Sequence, residues 1–150
     1  MGEEKEVLEN ERRMVSMAKK IGLIAAGAAP QKYMEKLAGH QEIVVLIADI
    51  VIQIFAMESV LLRTLKKIQK DGKEKSKIHI AATRVYNDVF PKIDLMAKQI
   101  FAAISEGEKL KAQLMALKKL ARYTPINCID LRREIADSII PTASYHLTKR

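Results

Sequence analysis

The chain has no tryptophan, one cysteine, four prolines and six glycines in 150 residues, and only 5 % of it is aromatic. Each shortage removes a class of architecture. A single cysteine, Cys128, rules out an internal disulfide framework and fits a reducing compartment. Scarce glycine and proline, beside abundant alanine, leucine, isoleucine and lysine, leave helix propensity favourable along almost the whole length. Sustained period-two alternation bounded by turn residues is missing, so no sheet is expected. Interleaved aromatic platforms and the zinc-finger and RNA-recognition signatures are also missing, so nucleic acid is not the expected partner despite a net charge of +8. The first eleven residues carry five glutamates, unlike a secretory leader or an Arg-rich transit peptide.

What is present is a globular composition, 49 % hydrophobic and 29 % charged, at a length that suits a single domain over residues 1–150. Ile43 to Leu65 is its dominant stretch. Ile43, Ile47, Ile50, Ile54, Met57, Leu61 and Leu65 recur in steps of three and four and keep one line of a helix apolar. Val44, Ala48, Val51, Phe55 and Leu62 form a second line beside it, so the helix is expected in the middle of the domain, covered over most of its circumference. The stretch is long enough to span a bilayer, but Asp49 and Glu58 lie inside it, each costing about 2.5–3.5 kcal/mol near a bilayer centre, and a buried soluble helix is the better reading.

In chain order, a first helix starts within Glu3 to Glu6, kinks across the small residues Gly22 to Ala29 and Pro30, resumes through Tyr33, Met34 and Leu37, and stops at Gly39. The second runs from about Gln41 to Lys70 and is closed by Asp71-Gly72. The third begins near Lys75; Ile78, Ala82, Val85, Val89, Ile93, Met96 and Ile100 hold one phase across Pro91, which predicts a single kinked helix to about Ile104. Ser105 to Glu108 matches a capping box and starts a fourth helix with Leu110, Leu114, Leu117 and Ala121 inward. Asn127 caps a short fifth helix that ends before Pro141 and packs across one end. The fold class is all-α: an up-and-down bundle of about four helices, three of them long, plus a short C-terminal helix, with residues 142–150 as a poorly ordered tail.

No catalytic, cofactor-binding or metal-ligating residue is expected. Gly22 and Gly27 have phosphate-loop spacing, but Ala28 and Ala29 stand where Lys and Ser/Thr would be needed, and close helix packing is favoured. Ser16 and Lys19 match a serine–lysine spacing without its companion motifs. His40, His79 and His146 are scattered. Asp49 and Glu58 are the carboxylates of interest, and structural pairing with Arg63 or Arg84 is favoured over acid–base chemistry; Glu58 is expected to meet Arg84. Lys118, Lys119, Arg122, Arg132 and Arg133 concentrate the excess charge in the C-terminal third, as a solvated face or as a surface for an anionic membrane.

The ordered set Gly27-Ala28-Ala29 with Gln31-Lys32-Tyr33, Ile47-Ala48-Asp49, Ile54-Phe55-Ala56-Met57-Glu58-Ser59, Leu61-Leu62-Arg63, Ala81-Ala82-Thr83-Arg84 and Arg122-Tyr123-Thr124-Pro125-Ile126-Asn127 resembles the C-terminal extension of bacterial very-long-chain-type acyl-CoA dehydrogenases. The resemblance covers nearly the whole chain. It implies a helical bundle packed on a catalytic body, with FAD and the glutamate that abstracts the α-proton of the acyl-CoA located in domains preceding the extension. No position here inherits the catalytic glutamate, Glu58 included. The implied reading is a noncatalytic assembly domain, inactive alone and binding no flavin itself, partnered by the catalytic body and by a second copy in a homodimer. Its expected location is cytoplasmic, with peripheral attachment to a membrane as a variant. A free-standing helical dimerisation scaffold and a peripheral membrane module are the competing readings.

Overall fold

A computed structural model describes residues 8–72 and 75–142. The helices are α1 (Glu9–Tyr33), α2 (Gln41–Asp71), α3 (Lys75–Thr83), α4 (Phe90–Ile104), α5 (Gly107–Leu120) and α6 (Cys128–Ile139). No strand occurs among the described residues. The expected helix start at Glu3 to Glu6 and most of the expected tail lie outside the described residues.

Four rods make the bundle. The first is α1, which carries Glu9 and Glu11 in its first turn, at the positive end of its dipole. Pro30 is accommodated near its end; helix does not resume as expected, because Met34 takes a φ of 50° and a 3-10 turn, Met34–Gly39, follows. The second rod is α2. The third is α3 and α4 joined through a π-helical turn, Arg84–Val89. Pro91 lacks an N–H and crowds the carbonyl four residues back, and the widened turn ahead of it absorbs the conflict while the chain stays continuous.

The fourth rod is shared. α5 packs on α4 and α1, and α6 continues beyond it along α3. Arg132 bonds Asp88 at 2.9 Å and His79 Nδ1 meets Glu134 at 3.1 Å, so α6 runs antiparallel beside the third rod instead of crossing an end. Asn127 Oδ1 accepts from the Asp130 N–H at 3.2 Å, the expected cap. The capping box expected at Ser105 does not form. Glu106 takes the N-cap of α5 without a side-chain bond, Gly107 has φ of 55°, and Ser105 Oγ is buried without a partner.

The core centres on α4 and α1. Phe90, Ile93, Ala97, Ile100, Phe101 and Ile104 are buried on the former, and Met14, Val15, Ala18, Ile21, Ala25 and Ala29 on the latter. A Cβ added at Gly22 would come within 2.9 Å of Ile54 Cδ1, so this glycine does admit α2 closely, whereas Gly27 faces no atom within 4 Å. α2 lies at the edge. Ile43, Ile50, Met57 and Thr64, spaced by seven, and Leu61 and Ile68 beside them point inward. The second apolar line, Val44, Ala48, Val51, Phe55 and Leu62, faces solvent, contrary to the covered position expected of it. The domain has too few other rods to wrap α2, and α1 and α4 already fill the centre.

Candidate functional site

The outward face of α2 is the largest unexplained feature of the surface. Val44, Val45, Val51, Ile52, Phe55 and Leu62 are all exposed, Phe55 at 71 % and Ile52 at 59 %. From Val44 to Leu62 the row extends about 27 Å along the helix. A side chain of this kind contributes about 1.5–3 kcal/mol when fully buried, so covering a contiguous row of them would be strongly favourable. Among the described residues α2 alone is long and apolar enough to cross a membrane. Its inner face argues against a span: Met57 and Ile50 are locked into the bundle, and extracting the helix would open the core. Residues 41–62 hold Glu42, Asp49 and Glu58 and no lysine or arginine, which suits a protein surface better than anionic lipid.

The carboxylates of α2 are structural or solvated. Glu58 sits on the flank turned toward α1 and pairs with Lys19. The expected Glu58–Arg84 pair is absent because Arg84 belongs to the π turn, where it meets Asp88 at 3.7 Å, four residues on in its own chain. Asp49 and Arg63 are exposed, without an ion-pair partner among the described residues. The five basic candidates separate into two groups. Arg132 and Arg133 are engaged, by Asp88 at 2.9 Å and by Asp130 at 3.9 Å. Lys118, Lys119 and Arg122 are exposed and lack an ion-pair partner among the described residues.

Perturbed groups gather where α1 begins. Burial pushes the Glu11 carboxyl up, tempered by a hydrogen bond from its own backbone. Burial also raises the Tyr86 hydroxyl, with the Glu11 charge adding to the rise and Arg13 opposing it. The Cys128 thiol is raised by burial, Arg132 opposing and Asp88 adding. This is a packed junction of α1, the π turn and α6, and a raised thiol is the unreactive kind. No group of three His, Cys, Asp or Glu side chains that could hold a metal occurs among the described residues.

A flavin needs hydrogen-bond partners at its ring nitrogens and a cradle for its phosphates. The residues here do not fit that need. The buried side-chain atoms lacking a partner, on Gln53, Thr83, Ser105 and Gln113, are spread over α2, α3, the α4–α5 turn and α5. The start of α5 is flanked by Glu106 and Glu108, whose charge opposes a phosphate.

Two concavities open on the described surface. One of about 300 Å³ lies between α1 and α2, at the Lys19–Glu58 pair and over Val15, Leu61 and Leu65. The other, about 780 Å³, is a groove between α4 and α5, walled by Asp94, Lys98 and Ala102 on one side and by Leu110, Leu114 and Lys118 on the other, with the Ala121 to Pro125 segment at one end. In the sequence Lys118 and Arg122 stand out only as surface charge, and the groove between α4 and α5 was not expected. The i, i+4, i+8 run Leu110, Leu114, Lys118 was the visible signal.

Fold and surface together define the class, an all-α bundle domain with an exposed apolar face on one helix. The chain belongs to the acyl-CoA dehydrogenase C-terminal domain family, whose model matches residues 17–119. A probable acyl-CoA dehydrogenase of Bacillus subtilis (strain 168) is 44 % identical over 140 residues, covering 93 % of this chain and 24 % of that protein. The crystal structure of an acyl-CoA dehydrogenase complexed with FAD from Bacillus anthracis matches with a TM-score of 0.89 and 42 % identity, over 91 % of this chain and 24 % of that one. The chain thus spans about a quarter of the length of the relatives it matches.

Proposed function

We propose that this chain acts as the noncatalytic assembly domain of an FAD-dependent fatty acyl-CoA dehydrogenase, an enzyme that introduces an α,β double bond into acyl-CoA. The domain docks on the catalytic body of that enzyme through the outer face of α2 and supports a homodimer, in the cytoplasm. The single observation that carries the reading is the exposed row on α2, with Phe55 and Ile52 at its centre, in a domain whose relatives are about four times its length. Family membership supplies the nature of the body, and the scattered polar groups argue against a flavin site within the chain.

The test is to purify the 150-residue chain and record its visible spectrum and its acyl-CoA oxidation with an artificial electron acceptor. The expected result is a colourless protein without turnover. A bound yellow flavin, or turnover by the chain alone, would overturn the reading.

A further inference from the structure

The groove between α4 and α5 has a polarity along its length that packing does not require. One end is apolar, formed by Ala102, Leu110 and Leu114. The other presents Lys118 in the last turn of α5 and Arg122 just past its end, against Tyr123 and Pro125. Tyr123 is fixed there by ring contacts to Phe90, 5.3 Å between centroids and edge-on, and to Tyr86 at 5.9 Å, so that end is a firm wall. Asp94, the one carboxylate in the lining, is engaged by Lys98 at 2.6 Å. With Lys98 spent on Asp94, two cations of the lining, Lys118 and Arg122, are left over. Lys118 and Arg122 have no ion-pair partner among the described residues.

Size and location agree with a ligand site. About 780 Å³ falls within the range of small-molecule pockets, roughly 300–1,000 Å³. Leu110 to Leu120 covers about 15 Å of helix, with Arg122 just beyond its end. Both α1 and α4 contact α2 on one side and α5 on the other, whereas α2 and α5 have no substantial contact. Covering the outer face of α2 therefore does not of itself close the groove.

We propose that this groove binds a single-chain amphiphile with an anionic head group, its acyl chain along Ala102, Leu110 and Leu114 and its head on Lys118 and Arg122. The cations give charge-assisted hydrogen bonds to a carboxylate or phosphate. Each methylene buried tightens binding by up to about fourfold. Unpaired charge at one end only matches a single chain, since Lys98 and Asp94 on the α4 wall neutralise each other; an amphipathic helix would need free charge along both sides of the apolar strip. Two sources share this chemistry, a free fatty carboxylate and an acyl-CoA thioester that carries its charge on phosphates.

Titration calorimetry on the 150-residue chain, with every amphiphile below its aggregation concentration, tests the proposal. Dodecanoate, dodecanoyl-CoA, coenzyme A alone and dodecyltrimethylammonium are the probes. At least one of the two acyl anions is expected to bind one to one, with coenzyme A alone and the cationic amphiphile at least tenfold weaker. Preference between dodecanoate and dodecanoyl-CoA assigns the source. The pair Lys118→Glu and Arg122→Glu is expected to weaken binding by tenfold or more with helicity unchanged by circular dichroism, whereas Phe55→Glu on α2 leaves it intact. Equal binding of the cationic amphiphile would overturn the proposal. So would indifference to the Lys118 and Arg122 changes, loss of binding with Phe55→Glu, or affinity confined to anionic vesicles.

Discussion

Two isoleucines show how far the environment of a residue departs from its chemistry. Ile93 is wholly enclosed on α4, and Ile52 is 59 % exposed on α2. Ile93→Ala removes packed methyl groups and leaves a cavity, so it is expected to cost about 2–5 kcal/mol. Ile52→Ala is expected to stay within about 0.5 kcal/mol. Urea unfolding of the two variants measures the difference directly, and similar costs would mean that the α2 face is covered within the domain itself. Glu11 gives a second test, read by pH. Burial raises its carboxyl above the ordinary 4.5, so the folded state holds the proton more tightly than the unfolded one. Its contribution is favourable at low pH and is lost as pH rises through the folded value. Glu11→Gln should therefore raise the thermal midpoint at pH 7 and show no such advantage below pH 4.5; the reverse order would contradict the sign.

Among the elements, the third rod is the one where sequence and structure diverge most instructively. The phase from Ile78 to Ile100 correctly joined α3 to α4 across Pro91, because side-chain periodicity reports which face is buried. It could not report the π turn, since one wider turn shifts the phase too little to break the pattern. Asn127 was legible as a cap because its side chain bonds locally; Ser105 was not, because Gly107 redirected the chain into α5 from Glu106. The inner line of α2 was also legible. Its outer line looked the same in sequence, and only the number of surrounding rods decides whether a second apolar line is core or surface. Glu58 found Lys19 for a related reason: which helix faces a flank is a property of the assembly of rods. The attachment of α6 combines the core contacts of Cys128 and Leu131 with the partly exposed pairs of Asp88 and Glu134, which contribute on the order of 0.2–1 kcal/mol each. Asp88→Ala should accordingly speed amide exchange in α6 several-fold while leaving α4 protected. Equal acceleration in both would show that the two helices open as one unit.

At the scale of the whole molecule, α1 and α4 form the packed centre, and α2 and the α5–α6 rod flank it. The domain therefore has two different outer surfaces. One is a long apolar row within a segment, Gln41 to Leu62, that contains no lysine or arginine, suited to a protein surface. The other is a short groove with cations at one end. This arrangement explains how a bundle can be well packed and still leave its most hydrophobic helix half in water.

The most direct measurement is co-purification of this chain with a catalytic body lacking its own C-terminal domain, such as the Bacillus subtilis relative with the segment that matches this chain removed, followed by sedimentation of the complex. The docking account predicts a stable complex with the wild-type chain. It also predicts loss of that complex when Ile52→Glu and Phe55→Glu are combined, with the chain's own thermal midpoint unchanged. A complex that forms equally well with the doubly substituted chain would contradict it.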